Sequence, residues 1–413
     1  MAPFSFQKIK EFLGLKQSIV ALLGMVVLVG MGEKMAERFL PIYIIALGGS
    51  AIYVGLLNGL DNFLSALYSF PGGYISDRYG TKRALLIFNL IAIAGFVLVI
   101  MIPSVWAVII GSFFFLSWTA VSLPATMSLV ARLLPRSKRT MGVSMHSLIR
   151  RIPMALGPLA GGLFISQWGE VDGVRLAFVA ALVMAIVAVI LQQTMIPRDD
   201  AAGAGGLGKT LHKNPYKLLR QFSPELKRLL VSDILIRFCE QIPYAFVVLW
   251  CMKEIASPVS AFEFGILTTI EMATAVLVYI PVAYYSDKAE KKPFVVMTFV
   301  FFTLFPLVLL FSQTFWILVA AFVLRGLKEF GEPTRKALII DLAVSGSEAA
   351  TFGTYYLFRD SVVAVAAFGG SFLWLISPAT NFTAAFACGA IGTIWFALSK
   401  QGRRGRNDFQ STN

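Results

Sequence analysis

Apolar residues recur along the chain in long blocks set apart by short polar connections, and that alternation predicts its elements. Blocks fall at about 18–46, 51–75, 84–102, 105–133, 140–165 and 174–195, then at about 228–252, 258–285, 294–311, 315–342, 350–376 and 381–398. A helix of about twenty residues, rising 1.5 Å per residue, crosses roughly 30 Å of hydrocarbon. With no water there, each backbone group must be satisfied inside the spanning structure, which leaves helices or closed barrels. Stretches such as Ala84 to Ile102 lack the apolar and polar alternation of barrel strands. The pattern therefore predicts an all-α membrane protein of twelve transmembrane helices.

Composition and charge refine this. Hydrophobic residues make up 57% and charged residues 14% of the 413 positions, whereas a soluble domain carries about 25% charged residues. The net charge of +13 would suit nucleic acid, but its placement excludes that partner. Lys and Arg collect at alternate connections: the N-terminal tail, Arg78 to Arg83, Arg136 to Arg139, Arg198 to Arg228, Lys288 to Lys292, Arg335 with Lys336, and the C-terminal tail. That is the cytoplasmic bias of membrane proteins, and it predicts an even number of spans with both termini in the cytoplasm, in the cytoplasmic (inner) membrane. Lys8, Lys10 and Lys16 precede a first block too long for a secretory signal, so that block is expected to remain as a span. Cys239, Cys251 and Cys388 show no paired spacing and read as packing residues; no metal or other cofactor is expected.

The two halves echo each other. Gly73-Tyr-Ile-Ser-Asp77-Arg78-Tyr-Gly80-Thr-Lys82-Arg83 is followed about 210 residues later by Ala283-Tyr-Tyr-Ser-Asp287-Lys288, and Pro124 and Gly161-Gly162 have counterparts in Pro333 and Gly369-Gly370. The repeat predicts two pseudo-symmetric six-helix bundles, 1–196 and 226–413, joined by a cytoplasmic linker at 197–225. The basic second part of that linker, Lys209 to Arg220, is either a short interfacial helix or a solvated tether.

On these residues the chain resembles the major facilitator superfamily, whose loop signature between spans two and three, G-x-x-x-D-R/K-x-G-x-R/K-R/K, is matched at Gly73, Asp77, Arg78, Gly80, Lys82 and Arg83. The resemblance implies a gating role for this motif, with Asp77 bracing helices four and eleven, Arg132 as its local partner and Asp287 in the degenerate second copy. A narrower resemblance lies in span five. Gly157-Pro158-Leu-Ala-Gly161-Gly162 is similar to the core of the antiporter signature of proton-coupled drug exporters, although Ser144 and Pro153 replace its upstream glycines. The arginine expected in span four of such exporters is absent, and its repeat-related span carries Arg325, Lys328 and Glu329 instead.

Charges at membrane depth cost several kcal/mol unless paired or hydrated, so each is a functional candidate. The set comprises Glu33, Lys34, Glu37, Asp61, Arg150 and Arg151 in the first half, and Arg237, Glu240, Glu271, Arg325, Lys328, Glu329, Arg359 and Asp360 in the second. Acids and bases nearly balance, which predicts pairing across a polar central cavity between spans one and seven. Glu33, Asp61, Glu271 and Glu329 are the candidate proton carriers, because a carboxyl group that alternates between a desolvated site and a cationic neighbour can exchange protons for substrate.

The expected function is secondary active transport by a monomer: proton-coupled efflux of small organic or amphipathic molecules by alternating access. Proton symport or uniport of a metabolite, and a transporter-like receptor that no longer cycles, are the alternatives. A membrane enzyme is the weakest reading, since His146 and His212 stand alone and no nucleophile with a base is visible.

Overall fold

The computed structural model describes residues 17–116, 118, 122, 149–196, 215–286, 290–344 and 348–399. Among these every regular element is helical. The first part contains α1 (Gln17–Glu37), α2 (Leu40–Ala46), α3 (Ala51–Tyr79), α4 (Thr81–Met101), α5 (Val105–Phe115) and α6 (Arg151–Met195). After α7 (Pro215–Arg220) come α8 (Pro224–Gln241), α9 (Ala261–Ser286), α10 (Lys291–Phe311), α11 (Phe315–Leu327), α12 (Glu332–Asp341), α13 (Glu348–Ile376) and α14 (Pro378–Leu398). Seven stretches among the described residues are long and apolar enough to cross a bilayer. One of them, α6, has 45 residues, about twice what a bilayer needs. It folds back at Gly169, where φ is +81° and side chains other than glycine's are disfavoured, bringing Gly173 against the backbone of Phe164 and Ile165.

Three expected spans are interrupted. The first breaks between Glu37 and Leu40, with Pro41 in the first turn of α2. The seventh breaks after Gln241, passing through a tight turn at Tyr244–Phe246 and a wide one at Trp250–Glu254. The tenth breaks between Leu327 and Glu332, where Glu329, Phe330 and Glu332 donate to carbonyls three residues back and Pro333 restarts the helix. A proline supplies no backbone donor, so each break is placed where the chain can end one helix and cap the next. Irregular backbone at membrane depth is tolerated only where protein buries it or a cavity hydrates it.

The motif expected as a loop between spans two and three is mostly helix. α3 continues through Gly73, Asp77 and Arg78 to Tyr79, and the turn is made by Gly80 alone, at φ +84°. Lys82 opens α4 and donates to the carbonyls of Gln193 (2.8 Å) and Ile196 (2.5 Å) at the end of α6, while Gln192 donates back to the Lys82 carbonyl at 2.7 Å. An ammonium on unsatisfied C-terminal carbonyls is the arrangement a helix dipole favours. Arg83 is exposed beside it. The side chains of Asp77 and Arg78, and the whole of Arg132 and Asp287, lie outside the described residues.

Of the expected linker, the described part from 215 onward forms α7, which is docked on the second part and not a free tether. Leu218 and Phe222 are buried there, and the Tyr216 ring meets Phe358 of α13 edge-on at 5.2 Å.

The two parts of the chain meet closely at the end that carries the turns near residues 47–50, 169 and 255–260. Small residues permit it. A Cβ on Gly55 would collide with Ser371 of α13, one on Gly162 with the Ala261 carbonyl, and one on Gly265 would fall 2.7 Å from the Pro158 carbonyl. The Lys253–Glu170 ion pair and the Phe262 amide donating to the Ser166 hydroxyl at 3.3 Å cross the same seam. Gly157 and Gly161 pack likewise on Lys34 and the Met35 carbonyl of α1, and Pro158 lies within the helix between them. Replacing Gly162 by leucine is expected to part α6 from α9, since overpacking costs about 1–3 kcal/mol, enough to open the seam roughly tenfold more often. The check is disulfide formation between Ser166→Cys and Phe262→Cys in a chain without its native cysteines. It should slow markedly in the leucine variant, and an unchanged rate would contradict the packing.

Candidate functional site

Two of the helix breaks, in spans one and seven, open on one cavity between the two parts, and Arg325, in the last turn before the break of span ten, borders it. Its walls are Glu37, Arg38, Leu40, Pro41, Leu57, Asn58, Asp61 and Leu116 from the first part, and Tyr244, Ala245, Val247, Val248, Phe264 and Arg325 from the second. Each break exposes helix ends and frees side chains to turn inward, which explains why Arg38 and Tyr244 sit at the interruptions of their spans. The floor is sealed by amides: Asn58 donates to the Gln241 carbonyl at 2.9 Å and Asn62 to the Gln241 side chain at 3.2 Å, so α3 and α8 are stitched together at the point where α8 ends.

Only Glu37, Asp61 and Arg325 of the expected charge set border this space. The others, Arg150 apart, form ion pairs inside the helices, because direct ion pairing offsets desolvation where water is scarce. In the first part, Lys34 bridges Glu33, at 3.2 Å, and Glu37. Arg150 is half-buried at the start of α6. Its neighbour Arg151 reaches Glu329 in the break of span ten at 3.1 Å, an ion pair between the two parts.

The second part holds a continuous relay. Arg325 Nε is 3.3 Å from Glu271, and Glu271 is 3.5 Å from Lys328. Lys328 binds Glu240 at 2.8 Å, Glu240 binds Arg237 at 2.5 Å, and Arg237 lies 3.5 Å from Glu332. Glu332 binds Arg335 at 2.6 Å; Arg335 pairs with Asp233, which is 3.3 Å from Arg359, itself 2.7 Å from Asp360. Aromatic faces line the cations: Phe302 lies under Arg237 and Lys328, and Phe305 and Phe322 under Arg325. Glu271 is 1% exposed, and neither of its oxygens accepts a hydrogen bond among the described residues; only cations hold it.

Arg359 and Asp360 belong to the deep end of the relay, away from the cavity. Asp233, Glu332 and Arg335 were not expected there. Arg335, read from sequence as part of a cytoplasmic cluster, is 1% exposed, as is Asp233, whose second donor is the Tyr355 hydroxyl at 3.0 Å. The signal existed: Asp233, Arg237 and Glu240 fall at i, i+4 and i+7 on one helical face, and Arg325, Lys328, Glu332 and Arg335 at i, i+3, i+7 and i+10 along span ten. The first part has instead a neutral network, Trp118 donating to Asn89 at 2.9 Å and Asn89 to Gln192 at 2.8 Å. The cysteines are free, with Cys239 and Cys251 buried.

Comparison with known proteins agrees with this architecture. An uncharacterized MFS-type transporter of Bacillus subtilis (strain 168), YfkF, is 28% identical over 141 residues, which is 34% of this chain and 36% of that protein, so the match spans about a third of the relative's length. Among solved structures, a point mutant of the nucleoside transporter NupG superposes with a TM-score of 0.80 at 11% identity, covering 92% of this chain and 98% of that one. A point mutant of the peptide transporter POT in complex with alafosfalin gives 0.71 at 16% identity, covering 92% of each. At such identities the likeness establishes the fold, that of multi-pass membrane proteins. The family model described as Major Facilitator Superfamily matches residues 22–252, more than half of the sequence, and the chain therefore belongs to that superfamily, a family of transporters and not of enzymes.

Proposed function

We propose that this protein is a proton-coupled secondary transporter that moves a small organic molecule through the cavity between its two parts by alternating access. The observation that carries the reading is the cavity itself: charged side chains from both parts and aromatic ones from the second, gathered around the breaks of spans one and seven, face one space. In this reading the chain has twelve spans in two six-helix bundles, 1–196 and 226–413, with both termini and the 197–225 linker in the cytoplasm. The seam closed by Gly55, Gly162 and Gly265 then lies on the outer side, and the cavity opens inward. Spans one, seven and ten flex at their breaks as the bundles rock. NupG is a nucleoside transporter and POT a peptide transporter, so the shared fold serves polar organic solutes elsewhere.

Two signs of coupling suit this geometry. Exchange, with export of the substrate, is what the Gly157-Pro158 core implies; its glycines sit on the α1 and α9 contacts that the cycle must remake. Co-transport is favoured by a different observation: Arg325 holds the buried Glu271 and also borders the cavity, so a ligand that engages Arg325 frees a carboxylate for a proton.

The test is flux in liposomes carrying the purified protein and a trapped pH indicator, challenged with nucleoside, peptide and aromatic acid, amide and amine panels. A solute that moves only with the protein, and whose movement shifts internal pH, supports the reading, and the direction of that shift assigns the sign. If no solute and no proton gradient drives movement, the chain is a receptor on a transporter fold.

A further inference from the structure

Tyr244 is close to two guanidinium groups. Arg38 Cζ is 5.0 Å from its ring centroid and Arg325 Cζ is 5.7 Å away. The two arginines come from opposite parts of the chain and border the same cavity. Among the described residues Arg38 makes no ion pair within 4 Å and no hydrogen bond; it lies over the Tyr244 ring and is attracted only at longer range by Glu37, Glu240 and Glu271. Arg325 meets Glu271 at 3.3 Å through Nε, and it donates no hydrogen bond to a carboxylate among the described residues. Of the carboxylates bordering the cavity, Glu37 is taken by Lys34.

A guanidinium is a planar fork of five donors that fits an oxyanion in bidentate fashion, and at membrane depth it is costly without a counter-ion. Two such groups bordering one space, beside a shared aromatic ring, leave the place of an anion open. The wall also carries Glu37, Asn58 and Asp61, together with apolar side chains, among them Leu57, Val248 and Phe264, that would meet a hydrocarbon or aromatic body.

We propose that the cavity selects organic oxyanions, carboxylates or phosphates, which bind in the fork between Arg38 and Arg325 with their apolar body against Tyr244. This rests on the transport reading of the cavity and narrows it. Because Arg38 belongs to the first part and Arg325 to the second, a bound oxyanion draws the two together, so the ligand favours the occluded state through contacts that only that state completes. It also competes with Glu271 for Arg325. The released carboxylate takes one proton from the facing compartment, so anion and proton enter the occluded state together, which selects co-transport over exchange.

The experiment is equilibrium binding to the purified full-length protein, by calorimetry at fixed pH, of 3-phenylpropionate, 2-phenylethylphosphonate, 3-phenylpropanamide and 3-phenylpropylamine. At least one of the two anions is expected to bind, with the amide and amine weaker by about tenfold or more, as befits a lost charge-assisted bidentate contact. Which anion binds separates carboxylate from phosphate chemistry. Arg38→Gln is expected to reduce anion binding by about tenfold while thermal stability is retained. Amide or amine binding as tight as the anions, no anion binding up to the solubility limit, or an unchanged affinity in a folded Arg38→Gln protein overturns the proposal. The ligand comparison needs no variant, so a misfolded mutant does not remove the test. Anion binding without solute movement in liposomes would refute the transport reading and leave this one standing.

Discussion

Asp233→Ala should destabilise the purified protein by about 3–5 kcal/mol, the cost of removing one partner of a buried ion pair. Asp233 and Arg335 are each 1% exposed, and the same carboxylate also meets Arg359 at 3.3 Å and accepts from the Tyr355 hydroxyl at 3.0 Å. Taking the carboxylate away leaves two guanidinium groups facing each other where water does not reach, with only Glu332 and Asp360 to hold them. The consequence is structural before it is functional, because Asp233 is on α8, Arg335 on α12 and Arg359 on α13, and this group is what joins those three helices at their charged end. Asp233→Asn keeps the shape and an acceptor for Tyr355, so its loss should be smaller. Replacing the pair together, Asp233→Leu with Arg335→Met, should recover part of the loss, since Arg335 is then not left buried without its partner, while Arg359 keeps Asp360 and Glu332 keeps Arg237. Thermal unfolding followed by tryptophan fluorescence, in detergent and at one pH, measures all three. Equal stability of Asp233→Ala and the parent would mean that the cluster is hydrated and contributes nothing.

How much of this could be read from sequence follows from the physics of each signal. Long apolar blocks report spans because a bilayer demands about twenty apolar residues, and the described helices fall where the blocks do. Helix interruptions are legible only indirectly, as prolines: Pro41, Pro243 and Pro333 each mark one, but a proline does not say whether the helix tightens, as at Tyr244–Phe246, or stops, as before Glu332. The polar run Ser76-Asp77-Arg78 reads as a loop by composition, yet α3 continues to Tyr79, because a helix entering the interfacial zone can carry polar residues until a glycine at positive φ ends it. Glu271 and Arg325 stand out in sequence because they fall well inside long apolar blocks, and both are buried. Asp233 and Arg335 are as buried, but they lie closer to the block ends and look like headgroup residues unless their helical periodicity is read. Pairing was the least legible property of all. That Lys328 chooses Glu240 and Glu271, and Arg151 chooses Glu329, is decided by which helix faces meet.

Glu271→Gln is expected to separate transport from its driving force. Glutamine matches the carboxylate in shape but neither titrates nor attracts, so Arg325 and Lys328, at 3.3 and 3.5 Å, lose their shared anion and the cavity gains a permanently free cation. Oxyanion binding should persist or tighten, because the internal competitor for Arg325 is gone. The proton that accompanied the substrate has no carrier. One pH unit is worth about 1.4 kcal/mol per proton, so a carrier coupled to one proton can accumulate its substrate about tenfold under that gradient. The parent should approach that ratio in liposomes, whereas the variant should equilibrate its substrate and stop, showing an unchanged concentration on both sides with or without the gradient. Glu329→Gln is the control. Its carboxylate pairs with Arg151 across the two parts at 3.1 Å, so its loss should alter the rate at which the parts open and leave the accumulation ratio intact. Gradient-driven accumulation that survives in Glu271→Gln but is lost in Glu329→Gln would move the proton site from the buried relay to the bridge between the two parts.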